Sequence, residues 1–73
     1  MARFKIYYID THIEKALAER GCDVRSIIST GNLKVLKNTA SVTPNNEFPS
    51  RKVAIDFLGL DEPDVLWYHI EEL

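Results

Sequence analysis

The single cysteine of this chain, Cys22, is the feature that most limits how the chain can fold. With one cysteine no intramolecular disulfide can form, so a chain of 73 residues has to be held together by its own apolar core. A chain of this length buries only roughly 60% of the surface that its unfolded form exposes. We therefore expect one small domain over residues 1–73, of modest stability, for which a bound partner would add stability.

Other sequence features are typical of a cytoplasmic protein. No apolar run approaches the ~20 residues of a membrane-spanning helix. Residues 1–10 alternate basic and apolar side chains and lack the uninterrupted apolar stretch of a signal peptide. A lone cysteine also fits a reducing compartment. We expect a location in the cytoplasm, or in the host-cell cytoplasm if the chain is viral.

Charge is divided unevenly along the chain, although the net charge is only −2. All nine Lys and Arg residues lie at or before Lys52, together with five acidic residues, which leaves +4 for residues 1–52. Six acidic residues and no Lys or Arg follow, which gives −6 for residues 53–73. Residues 1–52 therefore suit an acidic partner and residues 53–73 a basic one, unless the two segments neutralise each other in the fold.

The first part of the chain is predicted to form a strand and then a helix. Apolar and polar side chains alternate over Arg3–Ile9, as in a half-buried strand. Asp10 or Thr11 would cap a helix over about residues 11–20, and Gly21 would end it. The apolar residues at helical spacing would face the core, namely Ile13, Ala16 and Leu17.

The stretch Cys22–Thr30 fits two structures. Asp23 would cap a short helix that ends at Gly31, with Val24, Ile27 and Ile28 facing inward. The same β-branched residues would also suit a strand. We favour the helix.

The second half of the chain is predicted to be mainly strand. Short strands are expected over Asn32–Asn38 and Thr39–Thr43, and the prolines and asparagines of Pro44–Ser50 predict a loop. Alternation over Arg51–Leu58 predicts a strand, after which Asp61–Asp64 forms a turn.

The last segment, Val65–Glu71, is rich in β-branched and aromatic residues and is interpreted as a strand that forms a hairpin with Arg51–Leu58. A helix starting near Pro63 also fits its spacing. In the Arg51–Leu58 strand, Val53, Ile55 and Phe57 would share one face. The expected fold is α+β: the helix at about 11–20, with or without a second short helix, packed on a mostly antiparallel sheet of about four or five strands.

No residue pattern predicts an enzyme. The three glycines are too far apart in the sequence for a phosphate-binding loop, namely Gly21, Gly31 and Gly59. Cys22 would need His12 or His69 as a base, and its place just after a helix C-terminus disfavours a thiolate. We expect no catalytic residue and no cofactor.

Metal binding is not predicted either. Asp10, His12, Cys22 and His69 lack the spacing of known structural or catalytic zinc sites. We interpret Cys22 as a half-buried apolar residue. His12 is expected to be an exposed residue of the first helical turn, and His69 to lie on the polar face of the last strand.

The acidic final third supports the main functional hypothesis, a protein–protein interaction module. Carboxylates interleaved with aromatic residues suit docking on a basic protein surface. The candidate contact residues are Asp56, Asp61, Glu62, Asp64, Trp67, Tyr68, Glu71 and Glu72. Such a module would act as an inhibitor or regulator, for example a virus-encoded inhibitor of a host nucleic-acid-handling factor. Trp67 fits a buried core position equally well.

The alternative is a domain that binds single-stranded nucleic acid with the basic outer face of the first strand. Its candidate residues are Arg3, Lys5, Tyr7, Lys34, Lys37, Arg51 and Lys52, with Phe48 as an extra stacking ring. The pI of about 5.6 argues against this reading, because dedicated nucleic-acid binders are usually strongly basic. Homodimerisation through an unpaired edge strand, either Arg3–Ile9 or Val65–Glu71, is a further hypothesis.

Overall fold

The computed structural model describes residues 1–73, except for the side chains of Pro44 and Asn45. Three strands and four short helices make up the described backbone. In chain order they are β1 (Ala2–Asp10), α1 (Thr11–Ala18), α2 (Val24–Thr30), α3 (Leu33–Thr39), β2 (Ser41–Phe48), α4 (Arg51–Leu58) and β3 (Val65–Glu72). This order confirms the α+β class, with more helices and fewer strands than the sequence predicted.

The sheet is antiparallel, with β1 in the centre and β2 and β3 at its edges. The strand predicted at Arg3–Ile9 is confirmed, and it pairs on both sides. It therefore offers no free edge to a second copy of the chain. β3 keeps one open edge, so only the second of the two predicted dimer edges exists in this fold.

Side-chain caps explain where the first two helices begin. The Asp10 carboxylate accepts a hydrogen bond from the N–H of Ile13 at 2.9 Å, so Asp10 and not Thr11 caps α1. α2 has the cap that the sequence predicted, because the Asp23 carboxylate accepts from the N–H of Ser26 and Gly31 ends the helix with a φ of 67°. α1 ends earlier than expected, at Ala18.

Two segments predicted as strands are helices, and their caps again give the reason. The Asn32 side chain accepts from the N–H of Val35, and α3 occupies most of Asn32–Asn38. The Ser50 hydroxyl accepts from the N–H of Val53, and Gly59 ends α4 with a φ of 67°. Over seven or eight residues the alternation of apolar side chains is a weaker signal than the N-cap of α3 or the caps at both ends of α4.

The predicted loop Pro44–Ser50 is wrong up to Phe48, because β2 continues to that residue. β2 is an edge strand whose pairing with β1 shifts register between Phe4 and Ile6. A sheet tolerates proline in these two settings, at an edge and at a register irregularity. The side chains of Pro44 and Asn45 lie outside the described part of the structure.

β3 confirms the strand interpretation of the last segment but not its partner. It pairs with β1, from Phe4 opposite Glu72 to Ile9 opposite Trp67, and not with residues 51–58. The turn predicted at Asp61–Asp64 is present and connects α4 to β3.

Helices cover both faces of the sheet. On the α4 face, Phe4 and Ile6 pack with Ala54 of α4 and with Ile70 of β3. Burying such a side chain contributes about 1.5–3 kcal/mol. Because side chains alternate along a strand, the opposite face of β1 carries a second set of residues.

On this second face, the three-helix face, Ile9 packs with Val24 of α2 and Leu36 of α3. Ile13 and Leu17 of α1 lie against the same cluster, whereas Ala16, which was also expected to face the core, is exposed. None of the described helices is long and apolar enough to cross a membrane.

The cap of α4 gives a direct test of this fold. Replacing Ser50 by alanine leaves the N–H of Val53 without its side-chain acceptor. We expect the S50A variant to lose about 1 kcal/mol of unfolding free energy in urea denaturation. The control is S29A, at an exposed position within α2, which should stay within about 0.5 kcal/mol of the parent. Equal stability of the two variants would contradict the cap.

Candidate protein-binding surface

Most carboxylates of the final third are not neutralised by the rest of the molecule. Among the described side chains, five of the six acidic residues after Lys52 form no ion pair. They are exposed on α4, in the turn before β3 and at the end of β3, as Asp56, Asp61, Glu62, Asp64 and Glu72. The basic side chains that do pair mostly use acids of residues 1–52, as in Arg3–Glu47 and Arg25–Glu14. The basic residues of 1–52 therefore leave most of the negative charge of residues 53–73 unneutralised in the fold.

Glu71 is the exception, because it belongs to a polar and aromatic cluster on the three-helix face. Its carboxylate lies 2.5 Å from the Lys37 ammonium of α3 and 3.2 Å from Nε2 of His69. The same ammonium lies 5.0 Å from the ring centre of Tyr7, and the Lys5 ammonium is 5.5 Å from that ring. Through Lys37, these contacts attach α3 to β1 and β3.

The Lys37–Glu71 contact changes the titration of both groups. The hydrogen bond from Lys37 is the main cause that lowers the pKa of Glu71 below its usual range. The same bond raises the pKa of Lys37. Both charged forms are thus favoured in the folded state. The two side chains remain 30% and 33% exposed, so solvent and salt weaken the attraction between them.

The two aromatic residues of the predicted contact set lie on opposite faces of the sheet. Trp67 packs against the core of the three-helix face and stacks on His69, with ring centres 6.2 Å apart. Tyr68 lies on the α4 face and is 37% exposed. Glu71 shares the face of Trp67, and Glu72 shares that of Tyr68. The predicted set therefore does not form one continuous surface.

Phe57 is an exposed aromatic residue that the predicted contact set does not include. It is 77% exposed on α4, and Val53 is 40% exposed one helical turn earlier. The strand prediction for residues 51–58 had assigned both residues to one shared face. In the helix it is Ala54 that is buried. The caps at Ser50 and Gly59 were the sequence signals that could have revealed this.

One side of the Phe57 ring packs against another aromatic ring. Its centre lies 5.6 Å from that of Phe48, which is buried at the end of β2. Asp56 is its neighbour on α4, and the exposed turn residues Asp61 and Glu62 follow the end of that helix. An exposed aromatic side chain beside carboxylates is the combination expected of a contact site for a basic protein.

The residues of the nucleic-acid alternative are spread over the molecule. Arg3 and Lys5 lie on β1, Lys34 and Lys37 on α3, and Arg51 and Lys52 on α4, so the two helix pairs lie on opposite faces of the sheet. The two rings assigned to stacking are largely buried, with exposures of 7% for Tyr7 and 9% for Phe48. Lys5, Tyr7 and Lys37 do come together, but their ring is buried and Arg51 and Lys52 lie on the other face of the sheet.

Cys22 and the two histidines lie in different surroundings. Cys22 is half-buried against the core of the three-helix face, beside an open cavity of about 450 Å³ between α1 and α2. His12 is exposed on α1, and His69 contacts Glu71 on β3. Among the described residues, no three His, Cys, Asp or Glu side chains come together as metal ligands would.

The contact between Lys37 and Glu71 predicts a pH-dependent stability. Because the folded state lowers the pKa of Glu71, its contribution is present above the usual glutamate pKa of about 4.3 and is lost as the pH falls through the lowered value. Lys37 stays charged over this range, since its pKa is raised. The E71Q variant should therefore unfold at lower urea concentration than the parent at pH 7, and the difference should disappear in acid.

The next residue supplies the control. Glu72 has no ion pair with a described side chain, so E72Q should match the parent at both pH values. Loss of stability in E71Q that persists unchanged in acid would show that the effect does not come from the ion pair.

Comparison with known proteins adds no family to these observations. No protein-family model, no curated protein and no solved structure matches this chain.

Proposed function

We propose that this chain is a non-enzymatic protein-binding module, an inhibitor or regulator, that docks α4 and the acidic turn after it on a basic surface of another protein. The observation that supports this most directly is the 77% exposure of Phe57 in a helix that is capped at both ends. The same helix and the turn after it carry carboxylates that form no ion pair with a described side chain, namely Asp56, Asp61 and Glu62.

Phe57 has the properties of an interface anchor. Transfer of a phenylalanine side chain from water into a protein contact gains about 1.5–3 kcal/mol. Its ring already rests on Phe48, so little further ordering is needed when a partner binds. Val53, one turn away, extends the apolar area along the helix.

The carboxylates orient an approaching basic partner and increase the rate at which it associates. Exposed charges contribute little to affinity individually, but together they steer a basic partner toward the surface and raise the association rate. Lys37–Glu71 is the only ion pair among the described side chains that joins the basic segment to residues 53–73. The acidic turn is thus available to an external cation. We place the module in the cytoplasm, or in the cytoplasm of a host cell, where Cys22 would stay reduced.

Substitution of Phe57 tests the anchor. With the partner that co-purifies with the parent chain, F57S should raise the Kd about 30-fold, as expected for loss of a buried aromatic anchor. The loss of the ring's contact with Phe48 should lower the unfolding free energy by no more than about 1 kcal/mol, so the variant stays folded. The matched control is L33S, which removes an exposed apolar side chain from α3. Equal weakening by F57S and L33S would overturn the proposal.

Neutralising the acidic turn tests the steering. Replacing Asp61, Glu62 and Asp64 by serine should slow association with that partner and flatten its dependence on salt, with a smaller effect on dissociation. Stopped-flow measurements between about 50 and 500 mM salt would show this. The E19S variant removes an exposed carboxylate beyond the end of α1 and should change neither rate. An unchanged salt dependence of the triple variant would exclude a role for the turn.

A further inference from the structure

β3 lies at one edge of the sheet and pairs only with β1, so its other edge is open. We infer that this edge accepts an extended segment of another protein as a fourth strand, and that the segment carries Lys or Arg at both ends. Phe57 lies against Phe48 of β2, the strand at the other edge of the sheet, so the two surfaces have different centres. The acidic turn between α4 and β3 borders both of them. The inference therefore does not depend on the α4 surface being correct.

The hydrogen-bond pattern shows which backbone groups point out of the sheet. The N–H of Leu73 donates to the carbonyl of Arg3 at 2.9 Å, which makes these two residues a hydrogen-bonded pair of the antiparallel ladder. Such pairs alternate, so Glu71, His69 and Trp67 also bond to β1. Their neighbours point their N–H and C=O groups away from it, namely Tyr68, Ile70 and Glu72.

Little in the described structure blocks this edge. The ladder between β1 and β3 is regular from Glu72 to Trp67, and its single register shift lies beyond Ile9. This stretch of β3 contains no proline and no lysine, two residues that proteins use to protect edge strands, and its charged residues, Glu71 and Glu72, stand together at one end. β2, the other edge strand, has a proline in its sequence and a register shift. β3 is thus the edge better suited to accept a strand.

Charge decides which strand fits. Asp61, Glu62 and Asp64 precede β3, and Glu72, which forms no ion pair with a described side chain, ends it, so both ends of the edge carry free carboxylates. A second copy would bring another segment of charge −6 alongside the first. In two-fold pairing centred on Tyr68, Glu72 of each copy would lie opposite Asp64 of the other, and like charges oppose pairing. A segment with cations at both ends meets attraction instead.

A cavity beside the edge indicates what else the segment would carry. An open cavity of about 350 Å³ lies between α2 and the start of β3, lined by Arg25, Ile28, Ser29 and Leu66. Its two apolar walls, Ile28 and Leu66, suit an aliphatic side chain of the incoming strand. The expected ligand is therefore a β-forming peptide segment with an aliphatic residue and with basic ends.

Amide hydrogen exchange tests the edge in the parent protein. Without ligand, the N–H groups of Tyr68, Ile70 and Glu72 should exchange about 100-fold faster than those of His69 and Glu71, which are bonded to β1. The probe is a short peptide of alternating valine and threonine with lysine at each end. At about ten times its Kd, it should slow the three outward amides about tenfold. Protection of β2 amides instead would overturn the inference.

Charge reversal in the peptide tests the role of the acidic ends. The same peptide with glutamate in place of lysine should bind about tenfold more weakly, because two favourable contacts become unfavourable. Equal affinity of the two peptides would refute the basic-ended ligand. Sedimentation of the free protein tests the second-copy alternative, and a dimer that protects the outward amides would replace the proposed ligand with a second chain.

Two variants at one position test the backbone contact. Y68P removes an outward N–H, which an edge strand tolerates, and Y68T keeps that N–H while removing the ring. Peptide binding should weaken about fivefold in Y68P relative to Y68T. Equal binding by the two variants would contradict strand addition. If Y68P does not fold, the exchange pattern of the parent protein decides.

F57S separates this inference from the proposed function. The substitution should leave protection of the β3 amides by the peptide unchanged, whatever its effect on the α4 surface. Loss of that protection in a folded F57S protein would show that the edge is not an independent site.

Discussion

The fold depends on the burial of both faces of β1. Phe4 and Ile6 lie under α4, while Ile9 lies under α1, α2 and α3, so one strand supplies apolar side chains to both cores. Among the described residues, β1 supplies four of the ten buried apolar side chains, and a chain with one cysteine has no intramolecular disulfide to add stability. The remaining elements are arranged around this requirement. The edge strands complete the hydrogen bonds of β1, and four short helices cover its side chains.

The sequence was sufficient where a single signal was strong. The alternation over Arg3–Ile9 gave the central strand, and Asp23 with Gly31 gave both ends of α2. It was insufficient for α4, because Val53, Ile55 and Phe57 alternate as in a strand while Ser50 and Gly59 form helix caps. The partners of each strand were also beyond local signals, since pairing of β3 with β1 depends on long-range packing.

The candidate site was predicted only in part, because local sequence signals show charge but not which side chains the fold exposes. The unpaired carboxylates could be recognised from charge alone, because they stand in a segment without Lys or Arg. The exposed ring could not, because its exposure depends on whether residues 51–58 are helix or strand. Trp67 and Tyr68 were named as neighbours in sequence, but successive residues of a strand point to opposite faces. The charge of the acidic segment could thus be predicted from the sequence, whereas the exposure of Phe57 could not.

The central position of β1 also affects how the chain reaches its native state. β1 precedes both strands that pair with it, and Lys5 lies opposite Glu71, near the other end of the sequence. Bringing such distant residues together costs chain entropy, and a topology with many distant pairs folds slowly. During synthesis, β1 therefore leaves the ribosome well before β3, and its apolar residues stay without their final cover until most of the chain is made. Until then, the strand that holds the finished domain together presents exposed apolar side chains and unpaired edges, which favour aggregation.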